Sequence, residues 1–201
     1  MRKRLFLCWG LLLAAGTLHG QPGGRPAKDP AAEARYREAR QAFEQFEKVH
    51  GHFVQTANGR MHYLTWGPPA GIPFLWAHGS LTNAYEMQTV ADSLAKAGLY
   101  VIAIDYYGHG QTPIPPHEVS LYHVADDMKA LLDQLRIPKA VVGGFSRGGF
   151  IATAFYDAYP GRVLGLVLED GGSVATNAHY HTLSRAALEA RVAAFEKERP
   201  A

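Results

Sequence analysis

The chain has 201 residues, 47% hydrophobic and 19% charged, which suits one core-forming domain and argues against a disordered or low-complexity protein. Its formal charge is +2, but Arg2, Lys3 and Arg4 lie in a segment expected to be removed; without residues 1–20, 17 basic side chains face 18 acidic ones, a net −1. With no extended basic patch carrying interleaved aromatics, nothing points to nucleic acid or an anionic membrane surface as a partner.

In chain order the first element reads as an export signal over residues 1–20: a charged start, the apolar run Leu5 to Ala15, and small residues from Gly16 to Gly20. The run is too short to cross a bilayer, and Gln21 to Pro30 is polar with Pro and Gly. The mature protein is therefore expected to be exported, periplasmic or secreted, with no stable membrane span. Cys8 is the sole cysteine and would leave with the signal, so disulfides and thiol chemistry are not expected. Residues 21–51 read as a linker and an amphipathic helix. Ala34, Tyr36, Ala39, Phe43, Phe46 and Val49 recur at helical spacing among charged residues. Their stripe is expected to pack on the domain, a partner-binding helix being the alternative.

Residues 52–172 carry the expected core. His52 to Thr56 and Arg60 to Trp66 flank Asn58-Gly59, a preferred hairpin turn. Ile72 to Ala77 is an apolar strand, residues 84–97 one crossover helix stopped by Gly98, and Tyr100 to Ile104 another strand. Leu121 to Leu135 predicts the next helix, ended by Pro138. A Val-rich strand then runs into Gly144, a helix spans Gly149 to Tyr159, and Val163 to Leu168 is a further apolar strand ending in Glu169-Asp170-Gly171-Gly172. Strands alternating with helices imply an α/β fold, a mostly parallel sheet with helices on both faces. Residues 173–201 read as the start of a cap or lid, or a terminal helical segment from Leu183 to Glu198.

Three motifs fall at strand ends. Gly144-Phe145-Ser146-Arg147-Gly148 places a serine in a Gly-x-Ser-x-Gly turn between strand and helix, where a nucleophile is pushed out at the sheet's carboxyl edge. His78-Gly79-Ser80 follows the strand ending at Ala77, and Asp105-Tyr106-Tyr107-Gly108-His109-Gly110 follows the strand ending at Ile104. In this order over residues 52 to 172, the motifs resemble those of the α/β-hydrolase superfamily. The resemblance implies a serine hydrolase acting through an acyl-serine intermediate on an ester or related bond, without cofactor or metal. Ser146 would be the nucleophile, and the backbone N–H groups of Ser80 and Arg147 the oxyanion hole. A serine that merely caps the following helix is the structural alternative.

The rest of the triad is less legible. Asp170, with Glu169 beside it, stands where some members carry the acid; the alternative is a loop residue capping a turn. The family's histidine follows the last strand, and after Asp170 only His179 and His181 remain. His78 and His109 are expected to hold loops; His50, His52, His62, His117 and His123 read as surface or packing residues. Neither His-x-His pair has a third ligand at convincing spacing, so zinc is not expected. The chain is thus expected to be a C-terminally truncated member lacking the last strands and the catalytic histidine. Tyr85, Tyr106, Tyr107 and Phe145 suggest a small apolar acyl compound as substrate, the alternative being that the same residues pack a core. A non-catalytic binding module remains an alternative, as does phosphate binding at Gly143 to Gly149, although that loop lacks a Gly-Lys-Ser/Thr ending.

Overall fold

The computed structural model describes residues 29–173 and 182–198. The export signal expected at residues 1–20, and His179 and His181, lie outside the described residues. The chain divides into two compact units, Met1–Gln41 and Ala42–Ala201. In the first, helix α1 (Pro30–His50) starts behind Asp29, whose carboxylate accepts the Ala31 N–H at 3.0 Å and whose position before a proline suits a helix start. The helix runs on into the second unit, where Phe46 packs against buried aromatics while Phe43 and Val49 of the same stripe stay exposed.

The second unit is a six-stranded sheet in the order β1-β2-β4-β3-β5-β6. Strands β1 (Gly51–Gln55) and β2 (Arg60–Trp66) form the expected hairpin, and β2 lies antiparallel on β4 (Leu99–Ile104). Strands β3 (Ile72–Ala77), β4, β5 (Ala140–Phe145) and β6 (Val163–Glu169) are mutually parallel. Near-continuous apolar runs suit such strands because both faces are covered. On one face Leu75, Ile102 and Val142 pack under α3 (Leu121–Gln134) and α4 (Arg147–Ala158), through Met128, Leu131, Ile151 and Phe155. On the other, Trp66, Phe74, Trp76 and Val101 meet Ala84, Met87 and Ala91. A last helix, α5, spans Arg185–Glu198. Among the described residues no helix is long and apolar enough to cross a membrane.

One expectation needs correction. Residues 84–97 do not form one helix: a 3-10 turn over Ala84–Thr89 precedes the short α2 (Ala91–Lys96). Local periodicity loses here to hydrogen bonds from outside the segment. The Ala84 N–H is taken by the Asp105 carboxylate at 2.7 Å, the Tyr85 N–H by the Asn83 side chain at 3.1 Å. The run Val163–Leu168 is the expected strand and stands last in the order of the described sheet. Ala140 pairs with Val163 and Val141 with Gly165, so Leu164 is the extra residue of a bulge. Leu164, Val167 and Leu168 are all exposed.

Candidate active site

The sheet order determines where the motifs meet. In parallel register Ala77 lies beside both Ile104 and Gly144, and Gly144 lies beside Leu168. The carboxyl ends of β3, β4, β5 and β6 therefore share one rim, and the segments following them, His78–Ser80, Asp105–Gly110, Ser146 and Asp170, leave it together. The chain order doubles back between β4 and β5, and crevices at such reversals are where open α/β sheets bind ligands.

Ser146 sits between β5 and α4 with φ 50° and ψ −114°, a backbone conformation that side chains rarely adopt and that costs about 1–3 kcal/mol. Its N–H donates to the Glu169 carbonyl at 2.7 Å and its carbonyl accepts from the Gly149 N–H at 3.0 Å, holding the bend from both sides. The flanking glycines are required by close approach. A Cβ on Gly148 would enter the carbonyl of Ala77, and one on Gly144 would enter the backbone of Gly148. The Ser146 side chain is half-buried and makes no capping hydrogen bond to the helix, which removes the capping alternative.

Beside it, the loop after β3 is pinned at its carbonyls. The Gly79 carbonyl accepts from the Tyr106 hydroxyl at 3.1 Å and from the Thr82 hydroxyl at 3.3 Å. The Ser80 carbonyl faces His109 Nε2 at 2.9 Å, while Nδ1 of the same ring faces the Tyr107 carbonyl at 2.9 Å. Among the described residues, the N–H groups of Ser80 and Arg147 have no acceptor. Two main-chain donors thus stand open at the rim that carries Ser146.

His78 is fully buried, stacked on Tyr106 with ring centroids 4.1 Å apart. Its Nδ1 is 2.7 Å from the Gly79 carbonyl, and its Nε2 has no partner among the described residues. Burial pulls its pKa below the ordinary histidine value, which suits a neutral ring with Nδ1–H donating. Burial also pushes the Tyr106 phenol up, against the pull of the Arg147 guanidinium, so the hydroxyl stays a donor.

The expectation for His62 needs correction: it is neither on the surface nor simply packed. It is fully buried, with Nδ1 2.7 Å from Asp105 Oδ2 and Nε2 3.2 Å from Glu47 Oε2. Asp105 also accepts the N–H groups of Ala84 (2.7 Å) and Gln111 (2.9 Å). Burial raises its pKa, but the hydrogen bonds from His62, Ala84 and Gln111 outweigh that and hold the carboxyl below its usual range. The Gln111 side chain and the Tyr85 hydroxyl complete the network on Glu47, at 2.6 and 2.5 Å. Sequence reasoning also missed Glu86, whose carboxylate receives Trp76 Nε1 at 2.7 Å and the Thr82 hydroxyl at 2.5 Å, bracing the loop after β3.

Asp170 follows β6 with φ 49° and is exposed. Among the described residues no histidine hydrogen-bonds either Asp170 or Ser146. Each is engaged elsewhere: His50 on the Thr65 carbonyl, His52 on the Thr65 hydroxyl, His123 in a capping box with Ser120, and His117 edge-on to His123. Two cavities flank the bend. One of about 260 Å³ is lined by Trp76, Met87, Val90 and Phe145 with Glu86 and Glu169; the other, about 110 Å³, lies against Tyr106, His109, Ser120 and Arg147.

Comparison with known proteins agrees with this geometry. Residues 72–200 match the alpha/beta hydrolase fold family. The monoacylglycerol lipase of Mycolicibacterium smegmatis is 33% identical over 136 residues, covering 63% of this chain and 47% of the lipase. The non-heme chloroperoxidase of Streptomyces lividans is 34% identical over 119 residues, covering 57% and 42%. Among solved structures, a probable hydrolytic enzyme of Pseudomonas aeruginosa PAO1 superposes with a TM-score of 0.55 at 34% identity, covering 59% of this chain and 40% of that one. The chain spans less than half the length of these relatives.

Proposed function

The chain belongs to the alpha/beta hydrolase family, and from that premise we propose that it supplies the nucleophile and oxyanion hole of a serine hydrolase acting on a small carboxylic ester. The observation that carries this reading is the strained, uncapped Ser146 standing at one rim with the unpartnered N–H groups of Ser80 and Arg147. In the proposed reaction a base takes the Ser146 hydroxyl proton as Oγ attacks the ester carbonyl carbon. The carbonyl oxygen becomes an oxyanion facing the two N–H groups, which contribute about 10²–10³ in rate for each donor. The C–O bond to the alcohol then breaks, the alcohol leaves with the proton held by the base, and water releases the acid from the acyl-serine.

The base is a histidine outside the contacts described above, since no described histidine hydrogen-bonds Ser146 or Asp170. Asp170 is the proposed acid that orients it. With the base out of place, this chain by itself should turn over slowly, the oxyanion hole and binding alone leaving about 10³–10⁴ over water. The test is labelling with a fluorophosphonate and hydrolysis of a p-nitrophenyl ester by the 201-residue chain. The expected result is a Ser146 adduct, absent in Ser146→Ala, with slow ester turnover. No labelling of Ser146 would favour the second reading, a hydrolase-like binding module, which the lack of a histidine on the Ser146 hydroxyl among the described residues supports. Export is proposed on the sequence alone, and mature protein that begins near Gln21 by mass spectrometry would agree with it.

A further inference from the structure

The charges around the bend are lopsided, and Arg147 has no internal reason to be where it is. It is the first residue of a twelve-residue helix, the end that carries the positive half of the helix dipole, where a cation is disfavoured by about 0.3–1 kcal/mol. Its side chain is exposed, and among the described residues no carboxylate pairs with it; the guanidinium lies 5.9 Å from the centre of the Tyr106 ring. Arg162 shows what a structural arginine looks like in this molecule: its guanidinium bonds Asp133 and the carbonyls of Pro138 and Ile137. Arg147 instead lines the smaller cavity with Tyr106, His109 and the Ser120 side, immediately after the nucleophile. Across the bend, the larger cavity holds Glu86 and Glu169, carboxylates that repel an anion.

Resting on the reading of Ser146 as the nucleophile, we propose that Arg147 determines specificity, and that the substrate is an ester carrying a carboxylate within a few bonds of the scissile carbonyl. The anionic end lies against the Arg147 guanidinium on the Tyr106 and His109 side; the uncharged remainder takes the apolar wall of Trp76, Met87 and Phe145. The carboxylate supplies the counter-charge that no described residue provides, and the otherwise unfavourable cation at the helix start becomes a recognition group.

The experiment compares a butyl fluorophosphonate with its ω-carboxybutyl counterpart on the 201-residue chain. In both reactions Ser146 Oγ bonds to phosphorus, fluoride leaves and the hydroxyl proton goes to solvent. The quantity read is the ratio of the two labelling rates, which cancels any effect on the oxyanion donors shared by both probes. The ratio should favour the carboxylate probe about tenfold, the worth of one charge-assisted hydrogen bond. It should fall to about one in Arg147→Gln, survive in part in Arg147→Lys, and shrink with added sodium chloride. An equal ratio in wild type and Arg147→Gln overturns the proposal. If neither probe labels the wild type, it is the nucleophile reading that has failed. The Arg147 side-chain Nε–Hε resonance in Ser146→Ala then decides: a shift on adding monomethyl glutarate but not dimethyl glutarate supports anion recognition, and no such difference refutes it.

Discussion

The β2–β4 flank of the sheet closes its polar groups on one another, whereas the β6 flank turns apolar side chains outward. On the first, Asp105, His62, Glu47, Gln111 and Tyr85 form one hydrogen-bonded network, reaching from α1 through the hairpin to the loop beside the site. On the second, Leu164, Val167 and Leu168 are exposed along an edge strand that carries neither lysine nor proline. The elbow lies between them, with a stiff hydrogen-bonded network on one side and main-chain contacts to β6 on the other. The difference teaches that the loop after β3 takes its position from side-chain hydrogen bonds on the β4 side, while the β6 side contributes the Glu169 carbonyl and the loop bearing Asp170.

Breaking the stiff side should have the largest effect. Asp105→Ala leaves His62 facing Glu47 alone and strands the N–H groups of Ala84 and Gln111, at a cost of about 3–5 kcal/mol in urea unfolding. Acid should act on the same point. Because the folded carboxyl lies below its usual value, its stabilisation is present above the unfolded carboxylate pKa of about 4 and is lost as pH falls through the lower folded value. The gap in urea midpoint between the wild type and Asp105→Asn should therefore be wider at pH 7 than at pH 3: the variant starts lower and loses less on acidification. Gly148→Ala strikes the elbow itself, where the added carbon meets the Ala77 carbonyl; a loss of about 1–3 kcal/mol and displacement of Ser146 are expected, read by unfolding and by fluorophosphonate labelling. Tyr85→Phe removes one hydroxyl from the network and should cost about 1–2 kcal/mol. Leu164→Lys, on the loose side, should change stability by about 0.5 kcal/mol or less yet reduce self-association in light scattering, since charge on an edge strand opposes pairing. An equal stability loss on both flanks would erase the comparison.

What could be read from the sequence was what is encoded locally. The hairpin around Asn58-Gly59, the strand Ile72–Ala77 and the bend at Ser146 each depend on neighbours a few residues away, and the structure bears out the hairpin and strands within a residue or two. The 84–97 segment failed because its first N–H groups answer to Asp105, 21 residues from Ala84, and to the Asn83 side chain rather than to their own helix. His62 was illegible for a related reason. A histidine in an alternating strand can face water or a buried carboxylate, and only the pairing of β2 with β4 brings Asp105 to it. Glu86 left no trace in pattern at all, since its partners Trp76 and Thr82 are joined to it only by the fold back over the rim.

The positive φ of Ser146 has a consequence for selection. Glycine is the residue at ease in that conformation, so a library screened for heat tolerance alone should drift toward Ser146→Gly, gaining robustness as it gives up the hydroxyl. Deep sequencing of such a library would mark position 146 as a place where thermal fitness alone selects against serine, with no substrate in the tube.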